Sequence, residues 1–347
     1  MSKLIVSVQD KGHNTAGGSK AKDDIVYFLG GEQNFESVIL DIPKKKMDRI
    51  GYSLTTVPRT FKHLEAEIIV LQYPLYSKFL TKKIIACIRK YTNARLLFVI
   101  HDVESLRFYC DNQESEKKEL NFFNLADGLI VHNHYMRAWL KEHGVTTAMV
   151  DLEIFDYDNP QQFQPAVPYV KSVCFAGNLY KSKFLAKLTG KTKFYVFGPN
   201  PLPDFARNVA YCGQYAPDEL TQHLEQNFGL VWDGSQIDSC DGVFGEYMKY
   251  NNPHKTSLYL SSGIPVIVWQ QAAVAEFVVK HRVGLAVNSL AELDELLDQV
   301  SPKQYLEMKK NAVLIGKKMR AGEYIKHAFA QLEEKVANRE QHSKMEV

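Results

Sequence analysis

Short runs of β-branched and aliphatic residues, separated by longer stretches of helical period, recur along most of the 347-residue chain. Strands buried on both faces read as continuous apolar runs, whereas strands with one wet face alternate, so this rhythm calls for parallel sheets covered by helices on both sides. Strands are expected at 4–8, 37–42, 67–72, 95–100, 128–131 and 147–152, and helices at 19–29, 77–91, 117–126 and 133–143. This makes the first half a doubly wound α/β unit. After Asp156 the pattern breaks into DNPQQFQPAVPYVK, with three prolines, and then resumes. The chain therefore divides into an N-terminal Rossmann-like domain (1–156), a linker (157–170), a second Rossmann-like domain (171–320), a helix crossing back to the first domain (321–337) and a flexible tail (338–347). Ser289-Leu290-Ala291-Glu292 reads as a capping box, and Ser301-Pro302 opens another helix with proline at its first position. Two such units are expected to face each other across a cleft, with ligands at the carboxyl ends of the strands.

Composition narrows the function. A net charge of +2 supplies no general field for nucleic acid. Five scattered cysteines without C-x-x-C spacing fit reduced thiols and the cytosol rather than a disulfide or zinc framework. The apolar run at 4–8 is too short for a signal segment, and membrane contact is expected to be peripheral at most. The triple lysine at 44–46 reads as a solvated loop.

Candidate site residues fall in the loops after strands. The stretch KGHNTAGGSKAKDD, after the first strand, combines two glycines with a helix start, which suits an oxygen-rich anion but lacks the G-x-G-x-x-G spacing of a dinucleotide site. FVIHDV places His101 and Asp102 at a strand end, where either can take a proton from an acceptor hydroxyl; a helix-capping Asp102 beside a wall histidine is an equally good reading. In VHNHYMRAW, Asn133 is expected to cap a helix, and the two histidines lack a third ligand for a metal. FAGNLYKSKF delivers Asn178 and Lys181, and CGQYAPDEL places Tyr215 before a helix, where its ring can stack on a base or sugar. In EYMKYNNPHKTSLYLSSGIPVIVW, Lys255 lies in the first turn of a helix, beside backbone amides, as a diphosphate requires. That arrangement can stabilise a departing nucleoside diphosphate without a metal. The roles of Asp241 and Glu246, upstream, stay open.

The ordered motifs NTAGGSKAKDD, QYPLYSK, FVIHDVESLR, ADGLIVHN, LEIFDY, FAGN, YAPDEL, FGLVWDG and NNPHKTSLYLSSGIPVIV resemble bacterial GT-B glycosyltransferases. The similar group contains the glucosyltransferase that extends N-acetylglucosamine on serine-rich-repeat adhesins and the proteins named β-1,6-galactofuranosyltransferases. The resemblance implies a UDP-sugar co-substrate bound mostly by the second domain, no cofactor, metal-independent transfer to a glycan, glycoprotein or lipid-linked acceptor, and self-association into a homo-oligomer. It implies donor contacts at Thr15, Lys181, Tyr215 and Lys255, with Lys181 where the relative carries arginine. Leu258 stands where many GT-B enzymes place a ribose-binding glutamate, three residues after the lysine, which argues against a retaining mechanism built on paired glutamates. Two other readings remain: a non-catalytic nucleotide-sugar-binding partner subunit of a transferase, and a dinucleotide-dependent oxidoreductase, disfavoured by the glycine spacing of the first loop.

Overall fold

The computed structural model describes residues 2–8, 17–31, 33–43, 45–75, 77–108 and 112–345. The chain forms two units, one of Met1–Leu152 with Ile325–Val347, the other of Glu153–Tyr324.

In the first unit the order is β1 (Ser2–Val8), α1 (Gly17–Gly30), β2 (Phe35–Leu40), α2 (Lys46–Leu54), α3 (Thr56–Phe61), β3 (Ala66–Tyr73), α4 (Lys78–Tyr91), β4 (Arg95–Ile100), α5 (Glu104–Arg107), α6 (Gln113–Phe123), β5 (Gly128–Val131), α7 (His134–Glu142) and β6 (Ala148–Asp151). The strands form one parallel sheet in the order β2-β1-β3-β4-β5-β6. The apolar runs are the strands because both faces are covered: Ile68 to Leu71 and Leu96 to Ile100 are buried throughout. Helix α4 packs Leu80, Ile84, Ile85 and Ile88, at i, i+4, i+5 and i+8, on the sheet. Asn133 caps α7, accepting from the Met136 amide at 3.1 Å, as its position in the sequence predicts.

The second unit continues with β7 (Val173–Ala176), β8 (Phe194–Phe197), β9 (Val209–Tyr211), α8 (Pro217–Leu220), β10 (Phe228–Val231), α9 (Gly242–Tyr247), α10 (His254–Ser261), β11 (Val266–Trp269), α11 (Val274–His281), β12 (Gly284–Val287), α12 (Leu293–Gln299) and α13 (Pro302–Arg320). Its parallel sheet runs β12-β11-β10-β7-β8-β9. Residues 157–170 form no helix or strand, yet they are pinned to this unit: the Gln164 amide donates to Ser262 O at 3.1 Å, and Asn227 Oδ1 accepts from the Val170 and Ser172 amides. Half-buried Arg320 donates to Ser261 O and Gln161 O, with its guanidinium over the Phe163 ring.

The last helix, α14 (Glu323–Met345), belongs to the first unit from Ile325 onward. It buries Ile325, Ala328, Phe329, Leu332 and Val336, and a Cβ on Gly128 would lie 2.8 Å from Leu332. Gly128 is what lets α14 approach β5. The helix runs through residues read from sequence as a tail.

Two further features differ from the sequence expectation. Helices α2 and α3 occupy a stretch for which none was assigned, with Lys45 at the N-cap of α2 rather than in a loop. The Ser289 motif is not a reciprocal capping box. Its hydroxyl accepts from the Ala291 amide and starts a 3₁₀ turn, so α12 begins only at Leu293. The reciprocal box sits at Ser301, paired with Gln304.

Candidate functional site

In a doubly wound sheet, ligands sit at the carboxyl ends of strands where the winding reverses. In the second unit that point lies between β7 and β10, since β8 and β9 extend from one side of β7 and β10, β11 and β12 from the other. Lys255 occupies it. Its Nζ donates to Trp232 O at 3.1 Å and to Asp233 Oδ1 at 3.3 Å, both just beyond β10. The ammonium lies 4.6 Å from the centre of the Phe175 ring on β7, and a Cβ on Gly177 would meet its Cε at 3.1 Å. The helix carrying it is fixed one turn later by Tyr259, whose ring fills the space that a side chain at Gly229 of β10 would need and whose hydroxyl accepts from the Ala176 amide at 2.7 Å. Burial raises the Tyr259 phenol well above its usual range, so it stays neutral and keeps that contact. Lys255 is thus half of an ion pair with Asp233, a residue that the sequence reading did not name.

Around Lys255 the rim of the sheet is built from glycine. The Gly177 amide donates to Phe197 O at 3.0 Å and the Gly198 amide to Gly213 O at 2.9 Å. Gly198 has φ 138°, and a Cβ there would stand 1.9 Å from Gly177 O, so only glycine fits. Gly177, Gly198 and Gly213 are half-buried, so part of the backbone at this rim is accessible. Asn178 caps the 3₁₀ turn that follows, accepting from the Tyr180 amide at 3.2 Å. Lys181 ends that turn, exposed, with Nζ 4.3 Å from the centre of the Phe244 ring on α9. Tyr215 stacks on His223, with ring centroids 3.7 Å apart at 20°, and leaves part of its surface exposed. Leu258, in place of a ribose-binding carboxylate, is packed in the hydrophobic core.

The loop after β10 is tied by Asp241, which accepts from the Ser235 hydroxyl at 2.8 Å and from the Ser235 and Gln236 amides. Burial works against its charge, but these hydrogen bonds prevail and hold the carboxyl below its usual range. Asp241 thereby positions the segment bearing Asp233. Glu246 is exposed and pairs with Lys249 at 2.6 Å.

In the first unit, the winding reverses between β1 and β3. Thr15 lies outside the described residues. Buried Lys22 reaches this edge and donates to Pro74 O; desolvation lowers its pKa to about 8 against the opposing pull of Asp102, Asp23 and Glu104. His101 Nε2 faces Gln72 Oε1 at 2.8 Å, while Gln72 Nε2 donates to Lys22 O at 3.1 Å. An amide oxygen only accepts, so His101 carries its hydrogen on Nε2, and Nδ1 is buried. Asp102 is half-buried and ion-paired to Arg107. Below them, buried Glu119 accepts from the Tyr73 hydroxyl at 2.9 Å and from the Glu104 and Ser105 amides at 2.8 and 2.7 Å, satisfying the start of α5. Burial and the neighbouring Glu119 raise the Glu104 carboxyl. Buried His132 contacts His101 O through Nε2 at 3.1 Å. No sequence motif signalled Glu119, because its partners lie 14 to 46 residues away.

Among the described residues no cluster of three or more His, Cys, Asp or Glu side chains could hold a metal ion, and no helix is long and apolar enough to cross a membrane.

Family models described as "Glucosyltransferase 3-like, N-terminal domain" and "Glucosyltransferase 3-like, C-terminal domain" match residues 3–154 and 173–332. The β-1,6-galactofuranosyltransferase WbbI of Escherichia coli (strain K12) is 29% identical over 320 residues, covering 91% of this chain and 94% of its own. Glucosyltransferase 3 of Streptococcus gordonii is 29% identical over 221 residues, covering 63% of this chain and 65% of its own. Among solved structures, sucrose-phosphate synthase from Thermosynechococcus elongatus superposes with a TM-score of 0.57 at 12% identity, covering 99% of this chain and 98% of that one. The apo structure of OtsA gives 0.58 at 11% identity, covering 95% and 99%. At such identities these two likenesses establish the fold alone: two Rossmann-like domains of the GT-B type.

Proposed function

This chain belongs to the glucosyltransferase 3-like family of glycosyltransferases, and on that premise we propose that it moves a hexosyl group, glucosyl or galactofuranosyl, from a UDP-sugar to a hydroxyl of a glycan acceptor, with inversion and without a metal. The observation that carries the reading is the placement of Lys255 at the winding reversal of the second sheet, among glycines that leave backbone accessible. In the reaction the acceptor oxygen attacks the anomeric carbon as the bond from that carbon to the diphosphate oxygen breaks. The leaving UDP gains negative charge, which Lys255 stabilises by exchanging part of its contact with Asp233 and Trp232 O for pyrophosphate oxygen. The proton from the acceptor hydroxyl passes to Asp102. That carboxylate is preferred over His101 because it is partly exposed, whereas the second ring nitrogen of His101, Nδ1, is buried. The ion pair with Arg107 holds the Asp102 carboxylate in place. Asn178, Lys181 and Tyr215 complete the donor site, the tyrosine offering its ring to the base or sugar.

The deciding experiment is a binding and turnover screen of UDP-glucose, UDP-galactopyranose, UDP-galactofuranose and UDP-N-acetylglucosamine, following UDP release with and without a glycan acceptor. Acceptor-dependent UDP release from one donor is the expected result. The buried Leu258 favours one competitor, a non-catalytic nucleotide-sugar-binding partner subunit, which would bind UDP but release none.

A further inference from the structure

Helix α2 is amphipathic, but it faces the wrong way for a helix of a globular domain. Met47, Ile50 and Leu54 recur at i, i+3 and i+7, which places them within about 60° of one another around the helix. They are 78%, 45% and 61% exposed, whereas among the described side chains of α2 the buried one is Ser53. Helix α3, which follows, behaves ordinarily and buries Val57 and Phe61. Three aliphatic side chains on one exposed stripe, beside a polar residue turned inward, is an arrangement that water alone disfavours.

The charge around the stripe identifies what covers it. Residues 41–63 carry six Lys and Arg against Asp41 and Asp48, a net +4, whereas the whole chain is only +2. Lys45, Arg59 and Lys62 are exposed, and Asp48 stands about 100° around the helix from Met47, off the stripe. Arg49 is half-buried and donates to Pro43 O at 2.7 Å, bracing the entry to the helix. An apolar stripe in a segment rich in exposed cations matches a surface with an apolar interior and an anionic skin. A second copy of the chain fits less well, because a two-fold contact would set the same lysines and arginines against each other.

We propose that α2 docks the protein onto anionic lipid bilayers, inserting Met47, Ile50 and Leu54 among the acyl chains while Lys45, Arg59 and Lys62 meet the headgroups. The inference stands on α2 alone and is independent of which sugar is transferred.

The test uses the full chain and sedimenting vesicles of phosphatidylcholine, either pure or with about 30% phosphatidylglycerol. The wild type is expected to pellet with the anionic vesicles and to be released as salt rises, and to stay in solution with the neutral ones. Ile50→Asp with Leu54→Asp should lower anionic-vesicle binding at least about tenfold, and Lys45→Glu with Lys62→Glu should lower it comparably. All four positions are exposed, so the thermal midpoint should stay within about 2 °C of wild type, which separates lost docking from lost folding. Equal binding to both vesicle types, no binding by the wild type, or binding that survives the aspartates would overturn the proposal. So would a concentration-dependent dimer in sedimentation velocity that Ile50→Asp dissolves, since a second copy would then cover the stripe.

Discussion

Replacing Lys255 by alanine separates two roles that its geometry allows. One is structural: its ammonium neutralises Asp233 at 3.3 Å and satisfies Trp232 O at 3.1 Å. At that separation and an effective dielectric of about 20, the bare Coulomb attraction is about 5 kcal/mol, which is a ceiling. The two side chains are 19% and 30% exposed, so water screens the pair and lets a solitary Asp233 rehydrate, leaving a net structural worth of about 1 kcal/mol. For a unit the size of Glu153–Tyr324 that corresponds to a fall of about 2–4 °C in thermal midpoint. The other role is direct: a charge-assisted bond from Nζ to pyrophosphate oxygen contributes about 1.5–3 kcal/mol, or about 10- to 150-fold in the Kd for UDP. Calorimetric titration with UDP reads the second quantity and a thermal melt without ligand reads the first. Asp233→Asn and the double variant complete the cycle. If Lys255 serves only to neutralise Asp233, the double variant recovers UDP affinity; if it touches pyrophosphate, the double variant stays as weak as Lys255→Ala. The direct role is refuted by a Lys255→Ala protein that binds UDP within about twofold of wild type.

Asp102→Asn should reduce transfer by about 10²–10⁴-fold while leaving the UDP Kd unchanged, a split that steady-state kinetics and titration together would reveal. Lys309 is buried, its Nζ donating to Gly263 O at 3.0 Å, and desolvation alone lowers its pKa to about 8. Below about pH 8 the folded protein holds a buried charge that the unfolded chain would solvate. Between there and the ordinary lysine value the unfolded chain binds more protons, so this group's contribution to stability rises with pH. Lys309→Met should therefore raise the melting temperature at pH 7, by roughly 1–2 kcal/mol of stability, and shrink that advantage by pH 10; a lower midpoint at pH 7 would count against it. Gly198→Ala should cost more than about 3 kcal/mol, because its Cβ meets Gly177 O at 1.9 Å, whereas Gly242→Ala, with φ 69° and open space around it, should cost only about 1 kcal/mol. Denaturant titration of the two variants checks that order.

The strands were legible because burial on both faces leaves an unmistakable run, as at Arg95–Ile100, where expectation and structure coincide. Lys255 was legible as a helix-start cation, but its partner Asp233 was not, since the two are 22 residues apart and only the packing of α10 against β10 brings them together. Helices α2 and α3 were missed for a different reason. The stretch carries glycine, proline and a triple lysine, and its apolar period faces outward in α2 and inward in α3, so no single stripe marks them as one core-facing element. The Ser289 motif misled because a serine hydroxyl can satisfy an amide two residues on as readily as three, and only packing decides.

That α14 completes the first unit bears on how the protein is made. Leu332 and Val336 press against Gly128, yet a ribosome delivers them only after the whole of Glu153–Tyr324 has been synthesised. The second unit can condense on the nascent chain, while the first waits with β5 uncovered, open to chaperones or to aggregation. A fragment halted at Leu152 would inherit the same bare face permanently, so the two halves are not interchangeable as separate expression units. The first needs residues 325–336 grafted back, for instance through a short linker from Leu152, before it can close its own interior.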